Sequence, residues 1–171
     1  MAVFLENIGV IAAKIEGTEG TAETPVGSEA FIAEEVELTT TIEENTREAV
    51  NAQDLSPYVI VPGKRSATIK FKTLLKGSGT AGTAPDYGEL FKMCKYAETI
   101  VAVTSVAYDP VSDGDSSGTI VLYRNSGSSG KKYVLNGCRG TWSINLVNSE
   151  LMYINWEFTA ANFVETDSAP I

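Results

Sequence analysis

The side chains that could do chemistry in this chain are carboxylates, lysines, hydroxyls and two thiols; among 171 residues there is no histidine. That absence removes the commonest general base, every Ser–His or Cys–His nucleophile and the usual transition-metal ligands. Cys94 and Cys138 stand far apart, and two isolated thiols without histidine do not make a zinc site. They read as buried free thiols, with a disulfide between them left open. Asp109, Asp113 and Asp115 around Gly114 suggest calcium, but the spacing is not that of an EF-hand loop and no bidentate glutamate follows. A turn accounts for them. Gly77-Ser78-Gly79-Thr80-Ala81-Gly82 matches G-x-G-x-x-G between a strand and a helix. A dinucleotide site needs the helix to open inside the glycine turn, whereas Thr83, Ala84 and Pro85 intervene and no parallel βαβ unit follows. The glycines read as a tight connection. No catalytic residue, cofactor or metal site is expected.

Charge is the more informative signal. The net charge is −9, and residues 1–63 hold 12 acidic and 2 basic side chains, a net of −10; residues 64–171 hold 10 and 11, a net of +1. An acidic N-terminal third is either a surface that repels nucleic acid or docks a basic partner, or a solvated face that keeps the protein soluble. The basic residues are scattered, Lys131-Lys132 being a short pair at a hairpin, so no nucleic-acid-binding stripe is evident. Hydrophobic residues are 43% and charged residues 20%, ordinary for one folded domain. No apolar run is long enough to span a bilayer and no basic segment precedes an apolar core near Met1, so no membrane insertion and a cytoplasmic site of synthesis are expected.

The elements that must position these groups are mostly strands. Phe4 to Ile15 is an apolar strand or arm, running into a polar linker through Pro25, so residues 1–29 read as an N-terminal arm and linker that pack on a neighbour or fold back. Ala30 to Glu43 alternates, with Val36, Leu38, Thr40 and Ile42 on one face and Glu35, Glu37, Thr39, Thr41 and Glu43 on the other. Residues 44–63 lose all period, a long loop of the kind that is usually functional. Lys64 to Lys76 alternates again, with Ala67, Ile69 and Phe71 inward; antiparallel pairing with 34–43 would set its lysines against Glu35 and Glu37. Tyr87, Leu90, Phe91 and Cys94 form one helical stripe, capped by Asp86 with Glu89 as reciprocal partner and ending near Ala97.

The remainder is strand-like. Thr99 to Tyr108 is one segment; Gly118–Asn125 and Lys131–Asn136 form a hairpin; Arg139–Val147 and Leu151–Ala161 form a second. Trp142, Ile144 and Leu146 share a face, as do Met152, Ile154, Trp156 and Phe158, and these faces are expected to build the core. The fold class is therefore mainly β: a single domain over 1–171, an antiparallel β-sandwich or barrel with one flanking α-helix, an N-terminal arm and a long loop.

The run from Gly77 to Lys92, with Ala84-Pro85, Tyr87, Leu90 and then Glu98, resembles the tail tube (major tail) proteins of long-tailed bacteriophages, particularly the siphophage type. Gly9-Val10-Ile11-Ala12-Ala13-Lys14-Ile15-Glu16 with Gly20-Thr21 and Thr24-Pro25 looks like that family's opening segment, and Gly137-Cys138-Arg139-Gly140-Thr141 is similar to its closing one. Lys95 departs from it, standing where glycine is common.

The resemblance implies homohexameric rings, stacked into a virion tail tube around a tape measure protein and passing double-stranded DNA without sequence preference. Tail terminator and tail tip proteins would be further partners. It also implies that the arm and the long loop touch neighbouring rings, making Asn51, Asp54, Pro57 and Tyr58 inter-ring residues. Glu34, Glu35, Glu37, Glu43, Glu44 and Glu48 are expected to face the lumen or the ring-stacking interface, where like charge would let DNA slide. Two other readings stand beside this one: a related self-assembling tube of a secretion system or prophage-derived particle, and a receptor- or carbohydrate-binding β-sandwich displayed on a virion.

Overall fold

A computed structural model describes residues 9–46, 60–114, 116–124 and 130–168. Ten strands are set out in chain order: β1 (Gly9–Ile15), β2 (Ala30–Phe31), β3 (Glu34–Asn45), β4 (Val61–Leu74), β5 (Tyr96–Val101), β6 (Ser105–Pro110), β7 (Gly118–Arg124), β8 (Lys131–Asn145), β9 (Tyr153–Ala160) and β10 (Asn162–Asp167). A short helix, α1 (Gly88–Lys92), lies between β4 and β5. All pairings among the described residues are antiparallel; eight strands form a sandwich with one short helix, and β5 and β6 pair with each other as a separate two-stranded sheet.

The long strand β8 joins the two layers. Its first half pairs with β7 on one side and β10 on the other; its second half pairs, among the described residues, only with β9. One layer therefore runs β2-β1-β7-β8-β10 and the other β8-β9-β4-β3. Sequence period splits β8 at Gly137, because that glycine sits at φ 64 and shifts the alternation by one. The ladder nonetheless continues across it, with Ala161 N–H donating to the Asn136 carbonyl at 3.1 Å. Such a bulge bends a strand without ending it, and it carries β8 from one layer into the other. The same corner separates β9 from β10, a strand that the alternation after Ala161 does not announce.

The core lies between the layers. Ile69, Phe71 and Thr73 of β4 and Ile154, Trp156, Phe158 and Ala160 of β9 are buried at alternate positions, with solvent-facing residues between them. Trp156 satisfies its buried indole N–H on Thr73 Oγ1 at 2.8 Å. From the helix, Leu90 is fully buried and Phe91 stands 4.9 Å from the Trp156 ring centroid and 5.3 Å from that of Trp142. Ile144, Leu146 and Met152, expected inside, are exposed, because the β8–β9 hairpin outruns the layer opposite.

Three local expectations are corrected. The helix ends at Lys92, not near Ala97: Lys95 takes φ 65, a left-handed stop of the kind glycine usually supplies, and β5 begins at Tyr96. Tyr87 occupies the N-cap without a side-chain cap; Asp86 is drawn to Lys76 at 3.1 Å and Glu89 to Lys92 at 2.8 Å, so no reciprocal box forms. Thr99 to Tyr108 is not one segment but the end of β5, a turn and β6. Gly82, the last glycine of the G-x-G-x-x-G run, explains part of that motif. At φ 72 it packs so tightly on the β5–β6 turn that an added Cβ would collide with the Val103 backbone nitrogen.

Residues 9–15, the described part of the apolar segment expected over Phe4 to Ile15, are a strand whose whole length is in register with β7. The linker that follows is strapped down. Glu16 is buried at its start, and its carboxylate accepts from Ser117 Oγ (2.6 Å), Gly20 N–H (2.7 Å), Gly137 N–H (2.8 Å) and Thr119 Oγ1 (2.9 Å). Asn136 Nδ2 donates to the Gly20 carbonyl at 2.6 Å, Glu23 N–H to Thr119 Oγ1 at 3.0 Å, and Arg139 pairs with Glu19 at 3.1 Å.

Cys94 and Cys138 are both buried free thiols, and burial pushes each up to about 12. Thiolate is the reactive form, so neither cysteine should react with an aromatic disulfide reagent at pH 8 until denaturant is added. A fast-reacting thiol in the folded protein would contradict the burial.

Candidate assembly surface

The acidic stretch lies on β3, an outermost strand. Its register with β4 sets Glu37 opposite Lys70, Thr39 opposite Thr68 and Thr41 opposite Ser66. A bulge falls between Glu34 and Glu37, where Glu35 takes φ 52. Lys72 forms an ion pair with Glu35 there, and Tyr153 OH reaches Glu34 at 3.5 Å. The antiparallel pairing expected from the charge pattern is thus present. The Glu35 partner raises the Lys72 pKa. The pair is exposed, and such pairs contribute little to stability.

The register continues across the layer: Lys70 faces Glu157, which faces Thr141, while Lys72 faces Asn155, which faces Ser143. Lys70 and Glu157 form an ion pair at 3.0 Å. The outer face of β8-β9-β4-β3 is therefore a mosaic of both signs and hydroxyls, with a shallow groove of about 320 Å³ between Glu35, Lys72, Ser143 and Glu157. Sequence reasoning located the acids of β3 and the lysines of β4, but not Glu157 or the hydroxyl partners on β8. The signal was present in Thr141, Ser143 and Asn145, which alternate with Trp142 and Ile144.

Two edges of this layer carry no further strand among the described residues. One is β3 along its length; the other is the second half of β8, beyond Gly140, whose N–H reaches the Met93 carbonyl at 3.4 Å. Strand edges left open in this way are templates for pairing with another chain.

β3 and β4 also run past the rest of the layer. The β4–β9 ladder stops at Ala67–Ala160, whereas β3 and β4 stay paired out to Asn45 and Val61. The ends of the stretch expected as a loop over 44–63 are thus ladder residues, with Glu44 opposite Pro62. Thr39 to Asn45 is exposed on both faces, and Glu43 and Glu44 form no ion pair among the described residues. Glu48, Asn51, Asp54, Pro57 and Tyr58 lie outside the described residues. No group of His, Cys, Asp or Glu able to hold a metal ion occurs among the described residues, and no helix is long and apolar enough to cross a membrane.

No family model and no curated protein matches the chain. Among solved structures it is similar to the sheath–tube complex of an extracellular contractile injection system in the extended state, at 12% identity over 94% of this chain and 88% of that one, TM-score 0.44. It is similar to the tube-terminating cap of the anti-feeding prophage, at 9% identity over 98% and 93%, TM-score 0.48. A third likeness is to the tail of an empty GTA particle with C6 symmetry, at 8% identity over 94% and 95%, TM-score 0.43. With TM-scores below 0.5, the architecture above rests on this chain's own pairings.

Proposed function

We propose that the chain is the structural subunit of a phage tail tube, built from rings in which β3 of one copy pairs with the free half of β8 in the next. The observation that carries this reading is the four-stranded antiparallel layer β8-β9-β4-β3, neither edge of which carries a further strand among the described residues. Four alternating strands leave the outer two running in opposite directions. A second copy in the same orientation then adds antiparallel at every junction, and such a head-to-tail contact closes into a ring when its rotation closes. Following the sequence resemblance, the ring is a homohexamer, stacked around a tape measure protein, ended by terminator and tip proteins, and passing double-stranded DNA.

The polar face, with its shallow groove, is the one such a ring would turn inward, exposing Glu35 and Glu37 to the lumen. Lys70 and Lys72 change the expected electrostatics from a bare acidic wall to paired charges with a short-ranged field. At physiological salt that field decays over about 8 Å, so a polyanion would meet little to bind. Glu43 and Glu44, on the projecting ribbon, belong to the stacking contact.

Purified protein viewed by negative stain, with its mass distribution measured in parallel, tests the reading. Closed rings or tubes of one diameter are expected. Dispersed monomers that bind glycans would replace it with the receptor-binding alternative.

A further inference from the structure

The β5–β6 hairpin holds to the rest of the fold at its base and at its tip. Among the described residues its strands pair with each other alone, and no residue of either strand is fully buried. At the base, Glu98 ties the hairpin to α1. Lys92 Nζ lies 3.1 Å from its carboxylate, and Tyr108 OH donates to the same group at 2.7 Å. Phe91 packs beside them, 4.7 Å from the Tyr108 ring and 6.1 Å from that of Tyr96. At the tip, the backbone of Val101 to Val103 rests on Gly82. Val103 takes φ 59 there and is 85% exposed. A left-handed backbone is unfavourable for a β-branched residue, so the turn is strained as well as bare. Between base and tip, the hairpin and the glycine-rich loop bound a cleft of about 600 Å³ lined by Leu75, Tyr87, Phe91, Val106 and Tyr108.

We propose that β5–β6 is a lid over this cleft, opening as one unit while the main sheet stays folded. A two-stranded hairpin is marginal in water by itself, and segments with few buried contacts open at a lower free energy than the core. The hinge lies where the chain enters and leaves. Lys95 holds a left-handed φ of 65 at the entry, and its carbonyl accepts from Val111 N–H at the exit at 3.0 Å. Hinges are residues that absorb the change in backbone angle, so this base stays closed while the Glu98 latch and the Gly82 contact release. Opening bares Phe91 and, beyond it, Trp142, whose ring centroid is 5.8 Å from that of Tyr96 and 5.3 Å from that of Phe91. Trp142 belongs to the free half of β8, so on the ring reading the lid shields the apolar flank of the lateral junction. The opening itself does not depend on that reading.

Native-state hydrogen exchange of the purified protein, read by mass spectrometry on peptides spanning residues 96–110, tests the lid. The ladder amides of β5 and β6 should exchange together, and about tenfold or more faster than those of β4 and β9, in urea too dilute to unfold the core. Glu98→Gln, which weakens both ties of the latch, should speed hairpin exchange by a further tenfold or so, the worth of one hydrogen bond to a charged group. Tyr108→Phe, which removes a single hydroxyl, should act in the same direction and decides the matter if Glu98→Gln does not fold. Gly82→Ala should release the lid from its other end, because the added Cβ displaces Val103. In all three variants exchange in β4 and β9 should stay as in wild type. Hairpin amides that exchange no faster than those of β4 and β9, or latch variants that speed every strand alike, would overturn the lid by making the hairpin part of the core. Fast hairpin exchange that none of the three variants alters would overturn it too, since nothing would then hold the lid shut.

Discussion

Glu16→Gln should lower unfolding stability at pH 7 by about 1–3 kcal/mol, and Glu16→Ala by about 3 kcal/mol or more, as read from urea midpoints at constant m-value. The carboxylate receives two hydroxyls and two backbone amides, each oxygen taking one of each kind. In the glutamine variant one oxygen becomes an NH₂ group. The Ser117 or Thr119 hydroxyl can turn round and accept from it, but the amide of Gly20 or Gly137 cannot turn, and a buried unsatisfied N–H costs about 1–3 kcal/mol. Alanine orphans all four donors.

The pH dependence of Glu16 has a definite sign. Burial alone raises the carboxyl pKa, but the donors, Ser117 first and then Gly137, Gly20 and Thr119, outweigh it and hold the pKa below the ordinary 4.5. A depressed folded-state pKa contributes stability that is fully present above the unfolded value and lost as pH falls through the folded one. The gap between wild type and Glu16→Gln should therefore be constant from pH 7 to about 5 and narrow below about 4.5. A gap that widens with acid would show that the carboxyl is not held as an anion.

This clip also shows where sequence reading stopped. Glu16 looks like one more acid in an acidic third, and its partners lie up to 121 residues away. Nothing local marks Ser117, Thr119 and Gly137 as a nest for a carboxylate. What local pattern carries well is alternation over a buried face: Ala67, Ile69 and Phe71 on β4, and Ile154, Trp156 and Phe158 on β9, follow from the period of two alone. The same rule misplaces Ile144, Leu146 and Met152, because alternation states which residues share a face but not where the opposite layer ends. It fails again at Gly137 and Ala161, where one extra residue shifts the period. The helix was legible from its stripe, yet its length was set by Lys95, whose backbone conformation the residue type does not announce. At the candidate surface, the glutamates of β3 and lysines of β4 were readable as a cross-strand pattern. The open β8 edge was not, since an edge is defined by what fails to pair with it.

That edge supports the prediction with the largest effect on assembly. Thr141→Glu with Ser143→Glu should abolish rings at low salt, whereas Thr141→Lys with Ser143→Lys should preserve them. Both residues are exposed on the polar face of β8, and a neighbouring β3 would bring Glu35 and Glu37 to that face. Glu35 is already engaged by Lys72, and Lys70, the register partner of Glu37, is drawn to Glu157. Glu37 is thus the charge left for a neighbour. Opposite charges across an antiparallel pair are worth about 0.2–1 kcal/mol and like charges cost a similar amount. That is too small to detect in one contact, but the cost recurs at every junction of a closed ring. The asymmetry between the two variants is the informative quantity, because both add bulk and charge to the same hydroxyl positions and only the sign differs. It should shrink as ionic strength rises and the Debye length falls to about 3 Å at 1 M salt. Rings that form equally well with glutamates and with lysines at low salt would mean that β3 is not what pairs with β8, and the lateral contact would have to be sought on another edge.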